Sequence, residues 1–300
     1  MSKQDRKALT LPGYDIGECT FRGGDVEVYK AVRVDTGEQV LIKCSVPDAE
    51  AGDAFARFKN EHEILGKLSL KHVVKSIELV RHDRRIALVT EFLDCLPLKM
   101  VNPDSSVSFV ERLGIAVQAA RGVEEIHEAG LLHTDISPRT IVYERHSGRV
   151  KLAGFADATN LKMDAVASLD VRMQRGTLAY IAPEQMGRMN RTIDQRSDLY
   201  SLGATLYELF CGRAPASGKD QLEIVHAHLA RTPVPACEAA PDLPKQLSDI
   251  IMKLLEKSPE ARYQTASGLV ADLVAMASVF DEAVTRAQVE PHAVALALLV

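Results

Sequence analysis

The chain has 300 residues, 46% of them hydrophobic and 26% charged, which allows a sizeable buried core and is ordinary for a soluble protein. Its net charge of −5 argues against nucleic acid or an anionic membrane surface as the main partner. The longest apolar run, Ala293–Val300, is far shorter than the about 20 residues that span a bilayer. Met1–Pro12 contains no apolar run. We therefore expect a cytoplasmic protein without a signal peptide or a membrane span.

The first part of the chain is predicted to be rich in β-strands. Alternating apolar residues separated by turns indicate five strands: three within Tyr14–Val46, and one each over Val73–Val80 and Arg85–Phe92. Apolar residues at helical spacing predict one helix over Ala54–Leu68, with Asp53 as its N-cap. Leu93–Pro97 is typical of a linker.

From Ser108 onward the pattern is mostly helical. Ser108 and Glu111 form a capping-box signature, and Gly130 ends the helix that they begin. A strand pair follows at Ile141–Tyr143 and Arg149–Ala153. Further helices, separated by proline-rich breaks, are predicted over Asp194–Cys211, Asp220–Arg231, Leu247–Lys257 and Thr265–Phe280.

Between the long helix and the strand pair lies the stretch His133–Val142, which contains an aspartate suited to be a catalytic base. Regular structure holds the loop at both ends, and Pro138 restricts it in the middle. The stretch resembles the catalytic loop of eukaryotic-like serine/threonine protein kinases, H-R-D-L-x-x-x-N. His133 and Asp135 match. Thr134 replaces the arginine, Ser137 stands where such kinases usually carry lysine, and Thr140 replaces the metal-binding asparagine.

Other motifs of that family follow in the family's order. They are Lys43 in Val40–Lys43, Glu61 on the next helix, Gly176–Glu184 at the end of the activation segment, Asp198 in Asp198–Gly203, and Arg262 as the partner of Glu184. The resemblance implies an α+β protein-kinase fold with two lobes: a small β-rich N-lobe with one helix, and a larger helical C-lobe. The implied division is a tail at 1–13, the N-lobe at 14–92, a hinge at 93–97, the C-lobe at 98–280 and an extension at 281–300.

The resemblance also implies roles for individual residues. Lys43 would hold the α- and β-phosphates of ATP, Glu61 would hold Lys43, and Asp135 would accept or orient the substrate hydroxyl. The implied nucleotide contacts are Gly23, Val28, Leu41, Lys43, Thr90, Glu91, Leu93 and Val142. Structural roles are implied for His133, Phe155, Glu184, Asp198 and Arg262. The purely structural alternatives are a surface lysine, a helix-face glutamate and a loop aspartate that caps backbone amides.

Both positions that hold Mg²⁺ in the family are altered. Thr140 offers one neutral hydroxyl, and Gly154-Phe155-Ala156 stands where the family has D-F-G, so a carboxylate is lost at position 154. Asp157 comes three residues later and, on an extended segment, would face away from position 154. Of the glycines expected at 21, 23 and 26 in the phosphate-covering loop, Gly23 alone is present.

Two hypotheses follow from these residues. The first is a pseudokinase, a sensing or docking module that binds ATP weakly, without metal, or not at all. The second is an active serine/threonine kinase that uses atypical metal ligands such as Asp157 or Thr140. In both, the partner or substrate is expected to be a signalling protein. Three stretches further resemble the N-terminal kinase-type domain of bacterial multidomain proteins that continue into ATPase-like and histidine-kinase regions: Gly176–Arg191, Leu222–Pro235 and Ala261–Leu273.

Overall fold

The chain folds as two compact units, Met1–Ser69 with Val74–Asp94, and Leu70–Val73 with Cys95–Val300. The computed structural model describes residues 9–23, 26–46, 51–83, 85–101, 107–161, 177–186 and 192–289, and at 51–53 and 281–289 the backbone only. The α+β class predicted from the sequence is confirmed, since the first unit contains a sheet and the second is dominated by helices. Within those ranges, no helix is both long and apolar enough to cross a bilayer.

The first unit contains a five-stranded antiparallel sheet, as the alternating pattern predicted. Its strands are β1 (Tyr14–Gly23), β2 (Val26–Arg33), β3 (Gln39–Ser45), β4 (Ser76–His82) and β5 (Arg85–Glu91), in the order β1-β2-β3-β5-β4. The fourth strand begins at Ser76 and not at the predicted Val73. Val73 instead forms an isolated parallel bridge with Leu152, both in the second unit.

The two faces of this sheet have different neighbours. One face carries the apolar core of the unit, in which Ile42 and Cys44 of β3 are fully buried. On the other side, the helix α1 (Ala51–Leu65) packs Ala54 and Phe58 against Ile86 and Leu88 of β5. The helix begins before the predicted Ala54, so Asp53 lies inside it and is not its N-cap.

The second unit begins with a short strand, β6 (Leu96–Pro97), inside the segment predicted as a linker. Its other strands are β7 (Leu131–Leu132), β8 (Ile141–Glu144), β9 (Arg149–Leu152) and β10 (Thr159–Asn160). Its helices within the described ranges are α2 (Phe109–Glu128), α3 (Gln195–Cys211), α4 (Gln221–Ala230), α5 (Ala236–Ala239), α6 (Lys245–Leu254) and α7 (Ala266–Val289).

The helix ends are fixed by local chemistry. The side chains of Asp194 and Asp220 cap the first turns of α3 and α4, as the polar residue before each apolar run indicates. Two predictions were wrong in detail. The helix predicted at Leu247–Lys257 is α6, which starts directly after Pro244 and ends earlier, and α7 runs past Phe280. The four-residue α5 was not predicted.

The start of α2 yields a direct stability test. The Glu111 N–H donates to Ser108 Oγ (3.2 Å), and the Ser108 N–H donates to the Glu111 carboxylate (2.7 Å). Removing the hydroxyl with Ser108→Ala should lower the free energy of unfolding by about 1 kcal/mol in urea denaturation. Glu111→Gln is the matched control, because an amide oxygen still accepts from the Ser108 N–H. An unchanged stability in Ser108→Ala would show that the capping box does not anchor this helix.

Candidate active site

In the first unit, Lys43 and Glu61 form a short ion pair. Lys43 Nζ lies 2.6 Å from Glu61 Oε2 and 5.4 Å from the centroid of the Phe58 ring. Alternation along β3 turns Lys43 away from the core that holds Ile42 and Cys44, while Glu61 is buried on α1. A buried carboxylate thus holds an ammonium group whose remaining N–H donors can bind an anion.

The register of the sheet brings several of the predicted nucleotide contacts to one face. Val28 stands opposite Lys43, and Leu41 stands opposite Thr90. Gly23 ends β1 opposite Val26, on the β1–β2 hairpin. Residues that are paired across strands point to the same side of a sheet, so the side chains of these two pairs share one surface.

The remaining predicted nucleotide contacts lie elsewhere. Glu91 ends β5, and its carboxylate accepts a hydrogen bond from the Lys75 N–H at 2.9 Å, so this side chain is used within the first unit. Leu93 is buried. Val142 belongs to the second unit, on β8, where it pairs with Pro97 and Lys151.

In the second unit, the carboxylate of Asp198 on α3 fixes the start of the predicted catalytic loop. It accepts the N–H groups of His133 (2.9 Å) and Thr134 (2.8 Å), and the ring N–H of His127 (3.0 Å). Burial opposes the charge on Asp198, but the hydrogen bonds and electrostatic attraction from His127 and His133 outweigh it, so the pKa of Asp198 is lowered below its ordinary value.

Thr134 has a backbone conformation that is costly for a β-branched residue, with φ +65°. Each of its polar groups has a partner: the N–H binds Asp198, Oγ1 donates to the carbonyl of Asp157 (2.8 Å), and the carbonyl accepts from Gln185 Nε2 (3.0 Å). Sequence reasoning missed Gln185, whose only signal was its position directly after Glu184. Thr134 therefore ties the loop to three other segments.

The rings of His133 and Phe155 pack together, with centroids 4.5 Å apart. His133 Nε2 lies 3.0 Å from the carbonyl oxygen of Ala153, and the Asp135 N–H donates to His133 Nδ1 at 3.3 Å. A carbonyl can only accept, so the proton resides on Nε2. Asp135, the predicted catalytic base, follows on a loop whose backbone is fixed and is itself half-buried.

Thr140 and Gly154, at the two positions where the motif resemblance predicts lost metal ligands, are neighbours. Thr140 Oγ1 accepts the Ser137 N–H (3.0 Å) and lies 3.0 Å from the carbonyl of Asp135, so this hydroxyl closes the loop on itself. Gly154 has φ +82°, and a Cβ there would lie 2.8 Å from the Thr140 methyl carbon. The methyl group thus fills the space that a side chain at position 154 would enter.

The residues after Gly154 correct one expectation. Phe155–Asp157 form a 3₁₀ turn and not an extended segment, so alternation cannot be used to turn Asp157 away from position 154. The premise of that prediction was wrong.

Glu184 and Arg262 form a bidentate ion pair, with N–O distances of 2.7 and 2.9 Å. Both side chains are almost completely buried. Ser197 Oγ donates to the same carboxylate at 2.7 Å. The pair anchors the short helical turn Pro183–Met186 to the segment before α7.

Comparison with known proteins decides the family. The family described as the protein kinase domain matches residues 15–274. The chain belongs to the protein kinase family. The kinase fold predicted from the motifs is thereby confirmed. The structure contains both ion pairs, Lys43–Glu61 and Glu184–Arg262.

Three relatives of this kinase domain are bacterial serine/threonine kinases. It is 29% identical to a probable serine/threonine-protein kinase of Clostridium perfringens over 87% of this chain and 38% of the relative. It is 28% identical to the serine/threonine-protein kinase PknB of Mycolicibacterium smegmatis over 87% of this chain and 42% of the relative. It is 31% identical to the serine/threonine-protein kinase pkn2 of Myxococcus xanthus over 84% of this chain and 31% of the relative. The chain thus spans about two fifths of the length of the first two.

The buried ion pair of the kinase domain should be essential for stability. Arg262→Ala leaves the Glu184 carboxylate buried without its cation, which should lower the free energy of unfolding by about 3–5 kcal/mol. The control is Lys245→Ala, which breaks an ion pair with Asp249 whose side chains are 81% and 60% exposed, and should cost less than about 1 kcal/mol. Equal losses in urea denaturation would contradict the importance of the buried pair.

Proposed function

We propose that this kinase domain binds a nucleotide but transfers its γ-phosphate poorly, and that it acts as a regulatory or docking module in bacterial signalling. One observation carries the proposal: Thr140 and Gly154 are adjacent, and neither presents a carboxylate or amide oxygen at the position where the family binds metal. The proposed division is an N-lobe at 14–92, a hinge at 93–97 and a C-lobe at 98–280.

The donor set at these positions does not fit magnesium. Mg²⁺ requires near-octahedral oxygen ligands and is usually bound through one or two carboxylates. The Thr140 hydroxyl is already engaged by the backbone of Ser137 and Asp135, and glycine has no side-chain oxygen. Among the described residues, no group of three or more His, Cys, Asp or Glu side chains is arranged to hold a metal ion. We therefore propose that ATP, the nucleotide that the family implies, binds weakly and without a magnesium ion held at this site.

The kinase-motif residues that this chain retains support nucleotide binding more than transfer of the γ-phosphate. Lys43, held by Glu61, supplies a positive charge for an anion, and the sheet face beside it supplies apolar contacts from Val28 and Leu41. Asp135 retains the position of the catalytic base on a loop fixed by Asp198. Asp135 alone does not neutralise the charge on the transferring phosphoryl group. That neutralisation is usually the largest contribution to catalysis, and without a bound metal ion it is missing.

A second candidate is an active serine/threonine kinase with atypical metal ligands. Two observations favour it: the Lys43–Glu61 pair is intact, and Asp157 lies on a 3₁₀ turn directly after Gly154. Asp157 would then have to supply the carboxylate that position 154 lacks. Asp157→Asn separates the two candidates, because it should abolish transfer only if Asp157 binds the metal.

We propose protein partners because members of the protein kinase family act on protein substrates. The motif resemblance further suggests the N-terminal kinase-type domain of bacterial multidomain signalling proteins. The relatives are compatible with such a context, because each is more than twice as long as the part that this chain matches. We propose that signalling components of that kind are the partners of this domain.

Transfer of the γ-phosphate of ATP to a generic protein substrate tests the proposal. We expect wild-type activity close to that of Asp135→Asn, and a gain of about 10²-fold in the double variant Thr140→Asn/Gly154→Asp, because it restores a metal-binding pair. Gly154→Asp alone should gain little, because its Cβ would meet the Thr140 methyl at 2.8 Å. Thr140→Asn alone is the matched control, since it restores one ligand only.

The opposite pattern would overturn the proposal. Robust transfer by the wild type, abolished by Asp135→Asn, would show an active enzyme. If Asp157→Asn also abolished that transfer, the second candidate would replace the first.

A further inference from the structure

Lys257 lies between α6 and the 3₁₀ turn Pro259–Ala261, where its side chain is partly exposed. Its Nζ lies 3.5 Å from the hydroxyl oxygen of Tyr200 and 3.4 Å from the carbonyl oxygen of Ala227. Both acceptors are uncharged, and within the described ranges no carboxylate forms an ion pair with this lysine. Its ammonium group is therefore partly removed from water without an ion-pair partner.

A second cation is fixed next to Lys257. Arg262 donates from Nη2 to the carbonyl oxygen of Lys257 at 3.1 Å. The Arg262 Cζ and the Lys257 Nζ also lie against one aromatic ring, 4.8 and 5.8 Å from the centroid of Tyr200. A guanidinium group does not lose its proton in proteins, so the repulsion between the two cations is relieved when Lys257 becomes neutral.

The titratable groups that face Lys257 from α3 and α4 carry no negative charge. Burial raises the pKa of Tyr200 on α3, so its hydroxyl stays protonated. That hydroxyl lies 2.9 Å from Nδ1 of His228 on α4, and burial, followed by the charge of Lys257, lowers the pKa of His228 to about 3. Glu256, the preceding residue in the chain, supplies an opposing negative charge.

This environment favours the neutral amine. Burial and, second, the charge of Arg262 lower the pKa of Lys257 to about 8, although Glu256 acts in the opposite direction. At about pH 7.5, about one quarter of the Lys257 side chains are then neutral, against about 0.1% for a lysine with the ordinary pKa. A neutral amine is a nucleophile, and burial or a neighbouring cation activates catalytic lysines in the same way.

We propose that Lys257 is a modification site for small acyl phosphates, which acylate its side-chain amine directly. In this reaction the lone pair of Nζ attacks the acyl carbon and forms a C–N bond. The C–O bond to the phosphate breaks, inorganic phosphate leaves with that electron pair, and the amine proton passes to water. A small donor fits this site because the lysine is only partly exposed.

Acylation changes what Lys257 can bind. The amide nitrogen is uncharged and keeps one N–H, so it can donate to Tyr200 or to Ala227 but not to both. The modification thus weakens a connection between the end of α6 and the helices α3 and α4. The inference goes beyond the proposed function and uses none of the residues at the nucleotide or metal positions.

The test is acetylation of the folded full chain by acetyl phosphate at about pH 7.5. The chain is then unfolded, unreacted amines are capped with deuterated acetic anhydride, and peptide mass spectrometry gives the occupancy of each lysine. Lys257 should react at least about tenfold faster than Lys245, because more of its side chains are neutral. As the pH is raised to about 10, this ratio should fall severalfold, because Lys245 then loses its proton as well.

Lys245 is the matched control. It lies in the same unit, its side chain is 81% exposed, and its Nζ lies 2.6 Å from Asp249. Its hydrogen bond to Asp249 raises its pKa, so exposure favours reaction at Lys245 whereas the neutral fraction favours Lys257. In guanidinium chloride the two lysines should react at equal rates, because unfolding removes both environments. Lys257→Arg should abolish acetylation at position 257 and leave the rate at Lys245 unchanged.

Three results would overturn the assignment: a rate at Lys257 no higher than at Lys245 in the folded chain, the same excess in guanidinium chloride, or a ratio that does not fall as the pH is raised. None of them bears on the proposed function, which is decided by transfer of the γ-phosphate.

Discussion

The buried carboxylate of Asp198 is the constraint on which the catalytic loop depends. It accepts the N–H groups of His133 and Thr134, and so holds Thr134 in a backbone conformation that this residue would not adopt alone. The hydrogen bond from His127 keeps the carboxylate charged despite its burial. Since the folded-state pKa is lowered, this interaction contributes stability above the unfolded pKa of an aspartate and loses it as pH falls through the folded pKa. The full stabilisation by the charged Asp198 carboxylate is therefore present at neutral pH.

With the loop held in this way, the substitutions in it acquire a structural explanation. Thr134 stands where the kinase motif predicts an arginine, and its hydroxyl binds the Asp157 carbonyl. Thr140 stands at a predicted metal-ligand position, and its hydroxyl binds the loop backbone. Each such hydrogen bond contributes about 1 kcal/mol. Both hydroxyl groups therefore stabilise the protein and are less available to bind a ligand. Gly154 complements Thr140, because the Cβ of any other residue at position 154 would lie 2.8 Å from the Thr140 methyl carbon.

The sequence predicted the features that depend on local patterns. Alternation located the five strands, polar residues before apolar runs located the starts of α2, α3 and α4, and motif order located Lys43 with Glu61 and Glu184 with Arg262. It did not predict features that depend on one inserted residue or on tertiary contacts. The bulge at Thr20 reverses the side to which Phe21 points, and no periodicity shows it. The 3₁₀ turn at Phe155–Asp157 and the bond from Gln185 to Thr134 likewise arise only when distant segments meet.

The central claim is that a divalent cation finds no acidic ligand at positions 140 and 154. The most direct measurement is the melting temperature of the domain in excess ATP, with and without Mg²⁺. We predict that Mg²⁺ adds no shift for the wild type, whereas the variant with asparagine at 140 and aspartate at 154 melts about 2–4 °C higher when the ion is present. A shift of that size in the wild type, lost when Asp157 is changed to asparagine, would contradict the claim.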